Sequence, residues 1–446
     1  MSWIEKAAVR TPMKQQTPAE WNIGQSQVDR WVRHYKNRLI KEANLESITT
    51  LQPVERKKTI ERLVTQMINE EKVIITADQT EQIIKQIINE SVGYGPLESL
   101  LRDDSITEIM VNGADEVFIE RQGKIEKTNV KFKDNQHVRH IIDRIIAPLG
   151  RRIDESSPMV DARLHDGSRV NAVIPPISVD GPSISIRKFK QDPFSLDDLQ
   201  NFGSFSEEMA IFLKAAVKAK ANILVSGGTG SGKTTLLNVL SDSIPRGERI
   251  VTIEDMAELR FTYDNLVRLE ARPPNMEGKG EVTIRHLVKN ALRMRPDRII
   301  VGEVRGSEAI DMLQAMNTGH EGSLTTIHAN SPKDALGRLE SMVIMAGLPL
   351  TVEVIRGYFV GALDLIVQTS RFSDGKRRIV HISELVEEDG EISMRDIFHF
   401  ERQATLADGT IKGEFKPTGY VPKMYDRFVS HGVQVPKSLF AVGLLR

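Results

Sequence analysis

The sequence contains no cysteine among its 446 residues. Disulfide bonds, cysteine-ligated zinc sites and thiol nucleophiles are therefore excluded. Neither sign of charge is in excess: the sequence has 60 Lys and Arg residues and 61 Asp and Glu residues, for a net charge of −1. This balance excludes a chain that binds nucleic acid through bulk positive charge, although it leaves room for a local basic patch.

Long hydrophobic runs are also missing. No apolar run approaches the ~20 residues that a membrane-spanning helix needs, and the best stretch, residues 358–367, is interrupted by Asp364. Residues 1–16 carry charge and Pro12 but no apolar centre, so they do not read as a secretory signal. We therefore expect a cytoplasmic protein that reaches a membrane only through a partner.

The first part of the chain, residues 1–92, has the periodicity of amphipathic helices after a loose arm of about 25 residues. Asp78 is a plausible cap for the last of these helices. The favoured interpretation is a small helical bundle that packs on itself, and the alternative is that part of the apolar surface docks a partner. The apolar residues at helical spacing are Val28, Val32, Tyr35, Leu39, then Ile60, Leu63, Met67, then Ile83, Ile84, Ile87 and Ile88.

Three further regions follow. Residues 93–190 mix short strands with a helix over 135–149, and Asp166-Gly167 marks a hairpin turn, which together indicate an α+β domain. Residues 191–206 are rich in turn-forming residues and read as a linker. In residues 207–446, short apolar runs alternate with helical patterns, which predicts a parallel α/β sheet, and the segment after Arg371 reads as a terminal meander.

A glycine-rich stretch at residues 227–234 fits the phosphate-binding motif G-x-x-x-x-G-K-[ST]. A buried-type strand precedes it and a helix follows it, which is the context that the motif requires and which disfavours the alternative of a glycine-rich turn. Backbone N–H groups of such a loop point at phosphate, Lys233 reaches the β- and γ-phosphates, and Thr234 binds Mg²⁺. The predicted nucleotide-binding residues are Gly227, Gly228, Thr229, Gly230, Ser231, Gly232, Lys233, Thr234 and Thr235.

An apolar strand at residues 298–303 ends in Glu303. Gly302 stands where P-loop enzymes usually carry an Asp near the metal. We interpret Glu303 as the group that polarises the attacking water, or that holds it through the water shell of the metal. The alternative is that Glu303 only forms an ion pair with Arg305 at the edge of the sheet.

A second strand end carries the acids Glu254, Asp255 and Glu258. They meet the metal or the water, or they form only a solvated turn. His320 and His328 flank a further strand, and His328 is a candidate sensor of the γ-phosphate, although a lone histidine is more often structural. The predicted metal-binding residues are Thr234, Glu254 and Glu303.

These four motifs, in this order and spacing, resemble the Walker A motif, the Asp box, the atypical Gly-Glu Walker B motif and the His box of the type II/type IV secretion ATPases. Residues 269–281 and 290–305 are similar to the CpaF/TadA branch, the motors of tight-adherence (Flp) pili. The resemblance runs from about Gly93 to about Arg371. The absence of cysteine disfavours the type II secretion motors, which carry a four-cysteine zinc module.

The resemblance implies a hexameric ring ATPase. Each subunit would have a C-terminal RecA-like P-loop domain, an N-terminal α+β domain and a leading helical segment, with ATP and Mg²⁺ between the two domains. N-terminal arginines would close on the nucleotide: Arg163 and Arg169 match the R-L-x-D-G-x-R-V-N segment of the family, and Arg187 matches its S-I-R-K segment. The alternative for these arginines is a basic patch that pairs with acids of a neighbouring subunit.

The implied function is ATP-driven assembly, or also retraction, of a tight-adherence pilus. The ring would act at the inner face of the membrane through an inner-membrane platform protein, with no specific nucleic-acid partner. A type IV secretion motor for protein or DNA substrates is the alternative within the class. A nucleotide-gated scaffold that does not hydrolyse ATP is the alternative from another class.

Overall fold

The computed structural model describes residues 18–42, 53–71, 75–91, 93–121, 123–189, 194–274, 278–388 and 391–443. The chain divides into two compact units, Met1–Phe189 and Lys190–Arg446. Within these described ranges, no helix combines the length and the apolar character needed to cross a membrane.

Three helices open the first unit: α1 (Pro18–Glu42), α2 (Pro53–Glu71) and α3 (Ala77–Ser91). Helix α1 begins inside the stretch predicted as a loose arm, of which residues 1–17 lie outside the described residues. The predicted apolar residues form a common core, with only Leu63 and Ile84 partly exposed, so the bundle packs on itself. Asp78 is not the cap of α3, because the helix already starts at Ala77 and the Thr76 hydroxyl accepts the Gln79 N–H.

A six-stranded antiparallel sheet completes the first unit, in the order β3-β2-β1-β6-β5-β4. Helix α5 covers one face of the sheet, and the Asp134 side chain caps that helix by accepting the His137 N–H. The Asp166-Gly167 turn joins β4 to β5 as predicted, with Gly167 at a positive φ of 93°. The elements are α4 (Glu98–Leu101), β1 (Ile106–Asn112), β2 (Glu116–Arg121), β3 (Lys124–Lys127), α5 (Asn135–Ile146), β4 (Met159–Arg163), β5 (Arg169–Val173) and β6 (Ser183–Arg187), with 3₁₀ turns at Gly95–Leu97 and Ala147–Leu149.

The second unit is built on a nine-stranded sheet in the order β15-β14-β13-β12-β7-β11-β10-β8-β9. The strands from β12 to β9 pair in parallel, as predicted for this region. The meander after Arg371 pairs antiparallel, so the sheet as a whole is mixed. The strands are β7 (Ile223–Gly227), β8 (Ile250–Glu254), β9 (Leu266–Glu270), β10 (Arg298–Val304), β11 (Leu324–His328), β12 (Leu365–Arg371), β13 (Arg377–Glu388), β14 (Glu391–Thr405) and β15 (Ile411–Pro417).

Helices cover both faces of this sheet, which gives two apolar cores. Part of the stretch predicted as a linker, residues 191–206, is helical: Ser195 caps α6, and Leu196, Leu199 and Phe205 join the first of these cores. The helices are α6 (Leu196–Asn201), α7 (Glu207–Lys218), α8 (Lys233–Ser241), α9 (Ile284–Ala291), α10 (Glu308–Asn317), α11 (Pro332–Met345), α12 (Val352–Ala362) and α13 (Tyr425–Ser430), with a 3₁₀ turn at Lys437–Phe440.

Candidate nucleotide-binding site

The predicted phosphate-binding loop joins the fully buried strand β7 to helix α8. Gly230 and Gly232 adopt positive φ angles of 69° and 94°, which side chains rarely tolerate. At Gly227, a Cβ would stand 2.4 Å from both Ser231 Oγ and Thr369 Oγ1, so only glycine fits there. The loop therefore curls tightly before the start of a helix, which is the arrangement in which backbone N–H groups and the helix dipole bind an anion.

Lys233 is the first residue of α8, and its ammonium group lies over the loop. Its Nζ donates to the Gly227 carbonyl at 3.0 Å and to the Gly228 carbonyl at 3.1 Å. Thr234 follows in the first helical turn and is half-buried. The residues predicted from the motif are thus brought together around one loop, with a cation and a hydroxyl at its mouth.

Glu254 ends β8 and is 3% exposed. Its Oε2 accepts the N–H groups of Glu258 at 2.8 Å and Leu259 at 2.9 Å, whereas Oε1 has no hydrogen-bond partner among the described residues. Burial raises the pKa of Glu254 to about 7, and the two N–H groups oppose this shift without cancelling it. A buried carboxylate oxygen without a partner is a natural ligand for a hard cation such as Mg²⁺.

Gly302 lies on β10, next to β8, and faces this carboxylate. A Cβ on Gly302 would stand 2.9 Å from Glu254 Cγ and 3.4 Å from its Oε2. The side chain of Glu254 therefore occupies the space that an Asp at position 302 would need. An Asp at position 302 would therefore collide with Glu254 unless one of the two side chains moved.

Mg²⁺ fits these residues. Its preferred ligands are oxygens, and P-loop enzymes supply few of them from the protein because substrate phosphates and water complete the octahedron. The described part of the chain contains no group of three or more His, Cys, Asp or Glu side chains that could hold a metal ion. Of the predicted metal-binding residues, Glu254 has a buried oxygen without a partner among the described residues, Thr234 is half-buried, and Glu303 is paired with Arg305.

Glu303 has a different environment from Glu254. Its Oε2 accepts Nε of Arg305 at 2.9 Å and Nη2 of Arg305 at 2.6 Å, and Arg305 also contacts Asp255 at 3.1 Å. The alternative role considered from the sequence, an ion pair with Arg305, is thus present. Because the Arg305 side chain is 57% exposed, the pair stabilises the fold little and does not by itself account for Glu303.

The two histidines that flank β11 lie at opposite ends of that strand. His328 pairs in register with Gly227, so it lies beside the first residue of the phosphate-binding loop. His320 lies at the opposite, amino end of the same strand, where its Nδ1 faces the Ala315 carbonyl at 3.3 Å. Of the two histidines, only His328 lies beside the loop.

The three arginines predicted to act from the N-terminal domain stand side by side in the first unit. Arg163 pairs with Arg169, Arg169 pairs with Arg187, and the row continues through Glu108 to Glu120. Paired residues point to the same face of a sheet, and like charges directly opposite each other destabilise it. The three arginines therefore share one face of the sheet, next to Glu108.

Three residues near the loop were not identified from the sequence. Thr369 Oγ1 lies 2.9 Å from Ser231 Oγ, and Nε of Arg377 donates to the Gly230 carbonyl at 2.8 Å. The Arg371 side chain packs against Gly230. These residues lie about 140 positions after the loop. For Thr369 and Arg371 the sequence signal is the polar end, residues 368–371, of an otherwise apolar strand.

The buried carboxyl group gives a prediction on stability. Glu254 has a pKa in the fold above its ordinary 4.5, so the unfolded chain ionises first as pH rises, and stability falls between about pH 4.5 and 7. Glu254→Gln imitates the neutral acid and keeps an acceptor for the two N–H groups. We expect it to raise the melting temperature by several degrees at pH 8 but hardly at pH 5, measured by calorimetry in EDTA without nucleotide.

Glu155→Gln, at an exposed position of the first unit, serves as the control and leaves the melting temperature unchanged at both pH values. An equal effect of Glu254→Gln at pH 5 and pH 8 would mean that Glu254 does not titrate differently in the folded and unfolded states.

Comparison with known proteins places this site in a family. Residues 90–371 match the family described as Type II/IV secretion system protein. A putative conjugal transfer protein of Mycobacterium tuberculosis is 37% identical over 325 residues, which cover 72% of this chain and 92% of that protein.

Two further relatives are of the same kind. The conjugal transfer protein TrbB of Rhizobium radiobacter is 36% identical over 289 residues, covering 63% of this chain and 85% of TrbB. The type IV secretion system protein VirB11 of Bartonella quintana is 32% identical over 349 residues, covering 68% and 96% of the two chains. The segment matched by the family contains the phosphate-binding loop, both acidic strand ends and the arginine row, and the chain belongs to the type II/IV secretion ATPase family.

Proposed function

We propose that this protein is the ATP-hydrolysing motor of a type IV secretion or conjugation machine that moves protein or DNA substrates. The observation that carries ATP hydrolysis is the loop at residues 227–232 with Lys233 across it and the buried Glu254 packed over Gly302. Family membership implies the same activity. The relatives named for conjugal transfer and VirB11 support the choice of machine.

In the proposed reaction the loop N–H groups and Lys233 bind the β- and γ-phosphates. Mg²⁺, when held by Thr234 and Glu254, would neutralise charge on the phosphate oxygens. Glu303 orients the attacking water, and its carboxylate is held in place by the Arg305 guanidinium group. His328, beside the loop, acts as the sensor of the γ-phosphate. Arg163, Arg169 and Arg187 supply positive charge to the transferring phosphoryl group when the N-terminal domain closes.

The proposal includes a homo-hexameric ring that works at the inner face of the membrane through a platform protein. Such an arrangement lets closure of a domain on ATP, and its opening after product release, become movement. It also keeps the predicted domains 1–92, 93–190 and 207–446, with Leu196, Leu199 and Phe205 of the predicted linker 191–206 packed into the core of the third domain. Co-purification of a membrane protein with the ring is the measurement that identifies the platform.

A pilus motor is the second candidate. The similarity of residues 269–281 and 290–305 to the CpaF/TadA branch favours it, but the relatives named above are conjugal transfer and VirB11 proteins. The secretion role is therefore the better supported of the two, and the tight-adherence pilus stays a prediction. Deletion of the gene distinguishes them, because loss of pili with intact substrate transfer supports the pilus role.

Lys233→Ala is expected to abolish phosphate release from Mg-ATP, because the β- and γ-phosphates lose the cation at the loop. Lys214→Ala removes a lysine from an exposed position of α7 in the same unit and is the matched control, with unchanged turnover. Phosphate release by folded Lys233→Ala at the wild-type rate would overturn the ATPase assignment. Absence of release from the wild type, with ATP binding intact, would support the scaffold.

Glu303→Gln is expected to bind ATP and to lower kcat by about 10²–10⁴-fold, because the neutral amide no longer orients or accepts a proton from water. Asp255→Asn is the matched control: it weakens the same Arg305 network and leaves Glu303 in place. Steady-state phosphate release and nucleotide binding are measured for both. Equally small effects of the two variants on kcat would mean that Glu303 only forms the ion pair with Arg305 and does not act on the water.

Arg169→Ala and Arg187→Ala are expected to lower kcat of the full chain by roughly 10³-fold, the scale on which an arginine acts on the transferring phosphoryl group. Binding of Mg-ADP is expected to change little, because the loop in the second unit is intact. Lys124→Ala, on the edge strand β3 of the same sheet, is the control. A wild-type kcat in both arginine variants would mean that the arginine row is a structural basic patch with no part in hydrolysis.

A further inference from the structure

The hairpin between β12 and β13 touches the phosphate-binding loop from outside. Nε of Arg377 donates to the Gly230 carbonyl at 2.8 Å. A Cβ on Gly230 would stand 3.4 Å from Nη1 of Arg371, and a Cβ on Gly232 would stand 3.4 Å from Cδ of Arg377. Two arginine side chains thus lie against the two glycines that give the loop its positive φ angles.

The base of this hairpin is tied to the strand that leads into the loop. Thr369 Oγ1 donates to the Ser226 carbonyl at 3.1 Å and lies 2.9 Å from Ser231 Oγ. Ser231 Oγ in turn donates to the Gly228 carbonyl at 2.9 Å. Ser226, at the end of the strand that leads into the loop, is therefore bonded to Thr369 on β12, and the Ser231 hydroxyl lies against the same threonine.

The tip of the hairpin is fixed to the C-terminal strands. Arg378 and Asp374, each 6% exposed, form a two-point ion pair in which Nη2 of Arg378 lies 3.0 Å from Asp374 Oδ2. Asp374 Oδ2 also accepts the Ile411 N–H at 3.2 Å, at the start of β15. The Arg378 guanidinium stands 4.9 Å from the ring centre of Phe372 and 5.2 Å from that of Phe400 on β14. Such a buried, bidentate and ring-stacked arginine holds its neighbours rigidly.

We propose that residues 369–378, here called the clamp hairpin, position the phosphate-binding loop for the diphosphate part of the nucleotide, with Arg377 as the main positioning residue. The peptide between Gly230 and Ser231 is planar and trans, so its carbonyl and its N–H point in opposite directions. Arg377 holds the carbonyl of this peptide, and the Ser231 N–H on its other side donates to the Gly228 carbonyl at 3.3 Å. The contact therefore fixes the tight turn at residues 228–231. The strands beyond the matched segment, which ends at residue 371, set the nucleotide affinity through this contact.

The clamp hairpin acts on binding more than on the chemical step. Its contacts go to the loop backbone and not to Glu303 or Glu254, so they serve ground state and transition state alike, and uniform binding affects KM and not kcat. A hydrogen bond from a charged donor contributes enough that its loss weakens binding roughly tenfold. The inference rests on the proposed binding of ATP at this loop.

The test is a set of variants of the full chain, with Mg-ADP as the probe. Arg377→Ala is expected to raise the dissociation constant of Mg-ADP and the KM for Mg-ATP roughly tenfold, with kcat within about threefold of the wild type. Arg377→Lys keeps a cation that reaches the carbonyl but loses the planar fork, so it restores part of the affinity. Arg402→Ala, at an exposed position of β14 where the arginine contacts Thr405, is the matched control with unchanged affinity.

The outcomes separate the inference from the proposed function. If the wild type fails to bind Mg-ADP, the proposed ATPase function is overturned, and so is the inference that the clamp hairpin positions the loop for nucleotide. If the wild type binds and Arg377→Ala binds equally well, or if Arg402→Ala weakens binding as much, only the inference is overturned. A fall in kcat at unchanged KM also overturns it, because that pattern belongs to a group acting in the transition state.

Discussion

The pairing of β7 between β11 and β12 is the constraint on which the site depends. In register, Gly227 stands between His328 on one side and Thr369 on the other. The hydroxyls of Thr369 and Ser231 then fill the space beside Gly227, and no side chain fits there. The loop must curl, which brings Lys233 over the Gly227 and Gly228 carbonyls and sets the start of α8 toward the same point. Every other group of the site is placed relative to this curl.

Glu254 and Gly302 pack against each other on the neighbouring strands β8 and β10. The Glu254 side chain passes over Gly302, where a Cβ would meet it at 2.9 Å. Burial of this carboxyl group is costly, as its raised pKa shows, and two backbone N–H groups only partly offset the cost. Such a cost is typical of a functional group that needs a dry environment. Glu303 is partly exposed and paired with Arg305, so the two acids have different environments.

Positive charge is arranged in two places in the chain. The first unit carries Arg163, Arg169 and Arg187 in one row across three strands. The second unit carries Arg371 and Arg377 against the loop itself. The row belongs to one face of an antiparallel sheet and continues into Glu108 and Glu120, whereas the loop arginines belong to a hairpin that contacts the phosphate-binding loop directly.

Local features were readable from the sequence. The loop residues, the strand ends at Glu254 and Glu303 and the β4–β5 hairpin at Asp166-Gly167 follow from motifs and turn residues, because these depend on backbone geometry within a few positions. The apolar stripes of α1 to α3 follow from helical periodicity. Residues 191–206 were less readable, because their turn-forming composition hides the short capped helix α6 and the apolar residues that join the core.

Only the tertiary structure decided which distant residues meet. That β12 lies next to β7 is a matter of strand order, and it alone brings Thr369, Arg371 and Arg377 to a loop about 140 residues earlier. Likewise, the row from Arg163 to Arg187 exists because β4, β5 and β6 pair in one register, and Glu254 faces Gly302 because β8 lies beside β10. Strand order and register are set by burial of side chains over the whole sheet, and no local pattern of residues carries that information.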